Sequence, residues 1–151
     1  MGLNKSVARL VVLAQTASDG GKSSWAEEYD QVLSSIEGGT RLARSAQSVF
    51  YRGYSVKDAF VLQAIEAIAH NKRSGFTFHV TRKSFIDSRG MWNESFIVYF
   101  NFKIDDEHYQ ISFHSFNEKL WKYLGGPCST RWKKSRDSRE SAVALAKHIS
   151  Q

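Results

Sequence analysis

Cysteine and proline are nearly missing from this chain: its 151 residues hold one of each, Pro127 and Cys128. A lone cysteine closes no internal disulfide, so stability must come from a packed core. That cysteine usage fits a reducing compartment, and the cytoplasm is the expected location. No stretch approaches the ~18 consecutive apolar residues of a membrane span. The apolar run Leu10 to Ala14 is shorter than the ~7–15 residues of a signal-peptide core. Cys128 has no partner at zinc-site spacing. Gly20-Gly21-Lys22-Ser23 echoes the end of a phosphate-binding loop, but the upstream glycine and strand are lacking. No metal and no cofactor is expected. Met1-Gly2-Leu3-Asn4-Lys5-Ser6 fits the loose N-myristoylation pattern, and equally a polar start to the first helix.

The first half also lacks net charge. Residues 1–71 hold seven basic and seven acidic groups, whereas residues 72–151 hold fourteen and eight, which accounts for the whole net charge of +6. Such asymmetry favours an anionic partner for the second half, nucleic acid or an acidic protein surface, over a neutral metabolite. What the chain does have is aromatic and aliphatic bulk. A hydrophobic fraction of 42% and an aromatic fraction of 13% suffice for one core, so residues 1–151 read as a single domain.

Hydrophobic periodicity divides that domain in two. Over residues 1–71 the period is helical. Val7, Leu10, Val11 and Ala14 share one face of a helix over 4–17. Trp25, Tyr29, Val32, Leu33 and Ile36 form a second stripe behind a Ser24–Glu27 capping box. Leu42, Ala46, Val49 and Phe50 form a weaker one. Phe60, Val61, Ala64, Ile65 and Ile68 mark a helix over 56–70. After Gly75 the period becomes two: Phe76, Phe78 and Val80, then Phe96 to Ile104, then Tyr109, Ile111 and Phe113. Turns are expected near Ser88-Arg89-Gly90 and Asp105-Asp106-Glu107. Ser115 to Glu118 opens a short helix through Leu120, and Asp137 to Glu140 caps a last one carrying Ala142, Leu145 and Ile149. The expected class is α+β: N-terminal helices packed on a three-stranded antiparallel meander, followed by two C-terminal helices.

Two groups of residues carry possible chemistry. With Asp105 to His108 as the hairpin loop, Phe102 faces Ile111, Phe100 faces Phe113, Tyr99 faces His114 and Asn101 faces Ser112. Strand 76–86 then adds His79, and Thr77, His79, Tyr99, Asn101, Ser112 and His114 share the polar face. Two imidazoles, a phenol and hydroxyls suit phosphate or nucleobase binding, or acid-base catalysis by His79, Tyr99, Ser112 and His114. A solvated or helix-covered face has the same alternation. The second group is Arg131-Trp132-Lys133-Lys134-Ser135-Arg136-Asp137-Ser138-Arg139. Here Arg131, Lys133, Lys134, Arg136 and Arg139 would meet phosphates while Trp132 stacks on a base. A basic loop with a buried tryptophan is the plainer account.

The stretch Ile97-Val98-Tyr99-Phe100, then Tyr109-Gln110-Ile111-Ser112-Phe113-His114, then Trp132 and Arg136-Asp137-Ser138-Arg139 resembles small phage and prophage proteins. Those have a Gln-Val/Ile-Ser-Trp/Phe-His strand and a Trp loop, often Trp-Asp-Gly-His, before a final helix. The resemblance covers residues 95–145. Lys133-Lys134-Ser135 stands where the acidic and histidine positions fall, so no shared metal or catalytic role carries over. It implies a mobile-element accessory protein that acts on a host or defence complex. The expectation is thus a non-enzymatic binding protein engaging nucleic acid or the nucleic-acid-binding surface of a host complex. The alternatives are a small enzyme or nucleotide-ligand binder on the polar face, and a pure interaction module with an exposed apolar patch.

Overall fold

The computed structural model describes residues 2–18, 56–116, 118–123 and 138–150. The stripes expected over 24–37 and 41–52 lie outside these residues. The described elements are α1 (Lys5–Ser18), α2 (Val56–His70), β1 (Thr77–Ile86), β2 (Trp92–Ile104), β3 (Glu107–Ser115), a 3₁₀ helix (Glu118–Tyr123) and α3 (Ser138–Ile149). The α+β class is as expected. The segment after β3 is 3₁₀ rather than α, with Leu120 fully buried.

Asn4 starts α1: its Oδ1 accepts from the Val7 amide at 3.1 Å, satisfying one of the free donors of the first turn. The Asn4 amide donates to the Ser74 carbonyl at 2.8 Å, so the start of α1 is bonded to the entry of β1. Gly75 makes that junction possible. Its φ is +84°, and a Cβ there would stand 2.8 Å from Leu3 Cδ2 and 3.3 Å from Leu3 Cα.

The sheet is an antiparallel meander in the order β1-β2-β3. Its apolar face (Phe78, Phe100, Ile111 and neighbours) joins one contiguous core with Leu10 and Val11 of α1, Phe60 and Ile65 of α2, and Leu145 of α3. α1 packs on both other α-helices, α2 contacts β1, and α3 contacts β3. Two strand details differ from the sequence reading. The β2–β3 loop has two residues, Asp105 (φ 51°) and Asp106 (φ 66°), rather than four. Positive φ at both positions is the type I′ geometry that matches strand twist, and aspartate tolerates it. The register therefore moves by two: Phe102 faces Tyr109, Phe100 faces Ile111, Tyr99 faces Ser112 and Asn101 faces Gln110. A shift of two leaves every side chain on its expected face.

β2 also begins earlier than its alternation, at Trp92. Ten β1–β2 pairs run from Thr77–Asn101 to Ile86–Trp92, but β3 reaches only to the level of Phe96. Residues 83–95 are thus a two-stranded arm beyond the third strand. Its turn is tightly bonded. The Asp87 carboxylate accepts from the Arg89 amide (2.9 Å), the Met91 amide (3.0 Å) and Asn93 Nδ2 (2.8 Å), and the Gly90 amide donates to the Asp87 carbonyl. The Met91 amide chiefly, with Asn93 and Arg89, holds the Asp87 carboxyl below its ordinary range against a small opposing effect of burial.

Candidate nucleic-acid interface

The polar face of the sheet is organised in rows. His79, Tyr99 and Ser112 stand side by side across the three strands, and Thr77, Asn101 and Gln110 form the next row. Thr81, Ile97 and His114 form the row on the other side, so His114 faces Ile97 and not Tyr99. His79 and Tyr99 stack, with ring centroids 6.1 Å apart and an interplanar angle of 28°. Two strand spacings and one row put the Cα atoms of His79 and His114 ~12 Å apart, too far for direct proton exchange between standing side chains. A His79–His114 acid-base pair is therefore not assembled.

Burial varies across this face. Asn101 (2%) and Ile97 (3%), both on the central strand, are buried, and Asn101 accepts a 2.9 Å bond from Gln110. His79, Tyr99 and Ser112 are half-buried, while Lys83, Lys103 and His114 are exposed. The centre is thus shielded and its cations stand at the ends.

Ser112 has a structural partner. Its amide donates to Ser138 Oγ at 3.0 Å, and the two hydroxyls lie 3.0 Å apart. Ser138 is the first residue of α3. The hydroxyl that sequence offered as a nucleophile instead docks the final helix on the open edge of β3. Nothing in the sequence signals this contact, which joins residues 26 positions apart. Its consequence is that the two sequence-derived groups meet: the run 131–139 arrives at the sheet beside Ser112. Arg139 stands exposed in the first turn of α3; Arg131, Trp132, Lys133, Lys134 and Arg136 lie outside the described residues.

Two described arginines are ion-paired, Arg82 with Glu94 at 3.5 Å and Arg89 with Asp87 at 3.8 Å. Lys57 donates to the His114 carbonyl. Lys72, Arg73, Lys83, Lys103 and Arg139 have no carboxylate partner among the described residues. An open depression of about 350 Å³ is lined by Arg82, Glu94, Phe96 and Glu118. With two carboxylates to one guanidinium, it is not an anion site. No group of three metal-ligating side chains occurs among the described residues, and no described helix is long and apolar enough to cross a membrane.

The apolar patch that would mark an interaction module is present, at the arm. Ile86, Met91 and Trp92 are exposed at 65%, 61% and 67%, and Phe85 packs near exposed Phe116 at 6.5 Å between centroids. Sequence reasoning missed it because Trp92-Asn93-Glu94-Ser95 has no alternation of its own. No protein-family model, no curated protein and no solved structure matches the chain.

Proposed function

We propose that this chain is a non-enzymatic binding protein, of phage or mobile-element type, whose basic second half engages nucleic acid. The reading rests chiefly on the Ser112–Ser138 contact, which brings the end of the basic run 131–139 to the sheet. That run then shares a side of the molecule with Lys83, Lys103 and the stacked His79–Tyr99 pair. Lysines and arginines neutralise phosphates, and stacked rings offer a platform for a base. Arg131, Lys133, Lys134, Arg136 and Arg139 are the phosphate contacts of this proposal, with Trp132 as a stacking side chain. The site needs no metal or cofactor.

The test is a binding series against salt with single- and double-stranded probes. Each phosphate contact steepens the fall of affinity with salt by about 0.7–0.9 in logarithmic slope. Lys133→Ala/Lys134→Ala flattens that slope by about two such steps. Absence of binding at low salt refutes the nucleic-acid reading and transfers the basic surface to an acidic protein, such as the nucleic-acid-binding groove of a host complex.

A second reading has one observation in its favour, the His79–Tyr99 stack beside Ser112: a small enzyme or nucleotide-ligand site on the polar face. It requires that His79→Ala/His114→Ala lose affinity for a nucleotide or lose a rate; an unchanged value excludes it.

A further inference from the structure

We infer that the β1–β2 arm is a wedge for duplex DNA, with Ile86 and Trp92 pressed against the bases and cations seated on the backbones at either side. The inference rests on the nucleic-acid reading above and adds to it a place and a mode of contact.

The arm contributes nothing to the core. Its four pairs lie beyond β3, and its large side chains are mostly in water. A two-stranded ribbon alone is marginal, and an exposed apolar tip is a liability for solubility. Yet its turn is fixed by three bonds to one carboxylate. A rigid turn that holds apolar side chains outward is arranged for an occupant.

The order of groups along the arm says which. Ile86 and Trp92 are directly paired, so they share one face. Arg82 and Lys83 stand on the sheet side of that pair, and Arg89, its side chain 84% exposed, stands in the turn beyond it. Cation, apolar pair, cation is the sequence met on crossing a DNA groove: phosphate, bases, phosphate. Four paired residues span ~13 Å, and a two-stranded ribbon fits the ~12 Å major groove of B-form DNA. The ion pairs of Arg82 and Arg89 are long and exposed, so exchanging a carboxylate for a phosphate costs little. Apolar side chains pressed between base steps unstack them and bend the duplex. A lipid surface fits this order poorly. The Asp87–Arg89 turn lies distal to Ile86 and Trp92, so insertion would drive a carboxylate, held ionised by its bonds, into hydrocarbon first. Duplex RNA fits poorly as well, because its deep, narrow major groove admits no ribbon.

The full chain is mixed with a short DNA duplex carrying a donor and an acceptor at its ends, and binding and energy transfer are read together. Wild type is expected to bind and to raise transfer, corresponding to a bend of about 20–90°. Ile86→Ser/Trp92→Ser changes only exposed positions and is checked by circular dichroism for an unaltered fold. It is expected to bind within ~3-fold of wild type, since the phosphate contacts remain, and to leave transfer at the value of free DNA. Equal bending by this variant, or binding by wild type without bending, overturns the wedge and leaves the nucleic-acid reading standing. Equal bending of a duplex RNA probe also overturns it. Absence of binding to any nucleic acid at low salt overturns both. Flotation with anionic vesicles that depends on Ile86 and Trp92, without duplex bending, assigns the arm to a membrane and overturns the proposal.

Discussion

Replacing Gly75 by alanine tests the junction between α1 and β1. Two costs add there. A non-glycine residue at φ +84° pays about 1–2 kcal/mol for left-handed backbone. The new methyl also meets Leu3, 2.8 Å from Cδ2 and 3.3 Å from Cα. Cδ2 can rotate away, but Cα belongs to the backbone that hands Asn4 to the Ser74 carbonyl, so about 1 kcal/mol of overpacking remains. Gly90 supplies the control. Its φ is +77°, but a Cβ there meets nothing within 4 Å. Alanine shrinks the unfolded ensemble by the same amount at both sites, roughly 0.4–1 kcal/mol in its favour. The net expectation is a loss of about 2 kcal/mol for Gly75→Ala and about 1 kcal/mol or less for Gly90→Ala. For a chain of this size the Gly75 value lowers Tm by about 4–8 °C. Urea unfolding of both variants reads the difference directly. In Leu3→Ala/Gly75→Ala the removed Cδ2 returns about 1 kcal/mol relative to the sum of the single changes. Equal destabilisation by the two glycine replacements, or strict additivity in the double variant, would refute the steric part of the argument.

Ser138→Ala removes the acceptor of the Ser112 amide and is expected to cost about 1–2 kcal/mol. Faster hydrogen exchange at Ser112, against an unchanged exposed Lys147→Ala control, checks it. Asp106→Gly relieves positive φ in the β2–β3 turn and raises the urea midpoint by the equivalent of about 0.5 kcal/mol; a lower midpoint contradicts the turn assignment. Asp87 predicts a pH effect confined to the arm. Its folded pKa lies below the unfolded value, so its contribution is complete above about pH 4 and is lost as pH falls through the folded value. The Met91 amide then exchanges faster at acid pH, after correction for the intrinsic rate. An identical acid response in Asp87→Asn would show that another group governs the arm.

Much of the fold was legible because the core announces itself by period. Leu10, Ile65 and Leu145 recur at helical spacing, and Phe78, Phe100 and Ile111 sit in clean alternation. The faces of the sheet were legible for the same reason. The register was not: Asp105-Asp106 carries no glycine, so a two-residue turn with positive φ at both positions had no obvious signal beside a longer acidic loop. The arm was hidden because Trp92 and Glu94 share a face with Phe96 but lie beyond the core, where alternation no longer tracks burial. Of the polar face, composition gave the members but not the rows, and it could not foresee that Ile97 and Asn101 would be covered. The role of Ser112 depends on Ser138, a contact between distant positions that no local pattern encodes.

The place of Leu145 and Ile149 has a consequence for synthesis. These side chains complete the core against elements made more than a hundred residues earlier in the case of α1. At about 5–20 residues per second, α1, α2 and the meander emerge from the ribosome seconds before the helix that covers them. During that interval the flank of α1 and the outer edge of β3 face the cytosol bare, so the nascent chain is expected to depend on holding factors until residue 149 has cleared the exit tunnel.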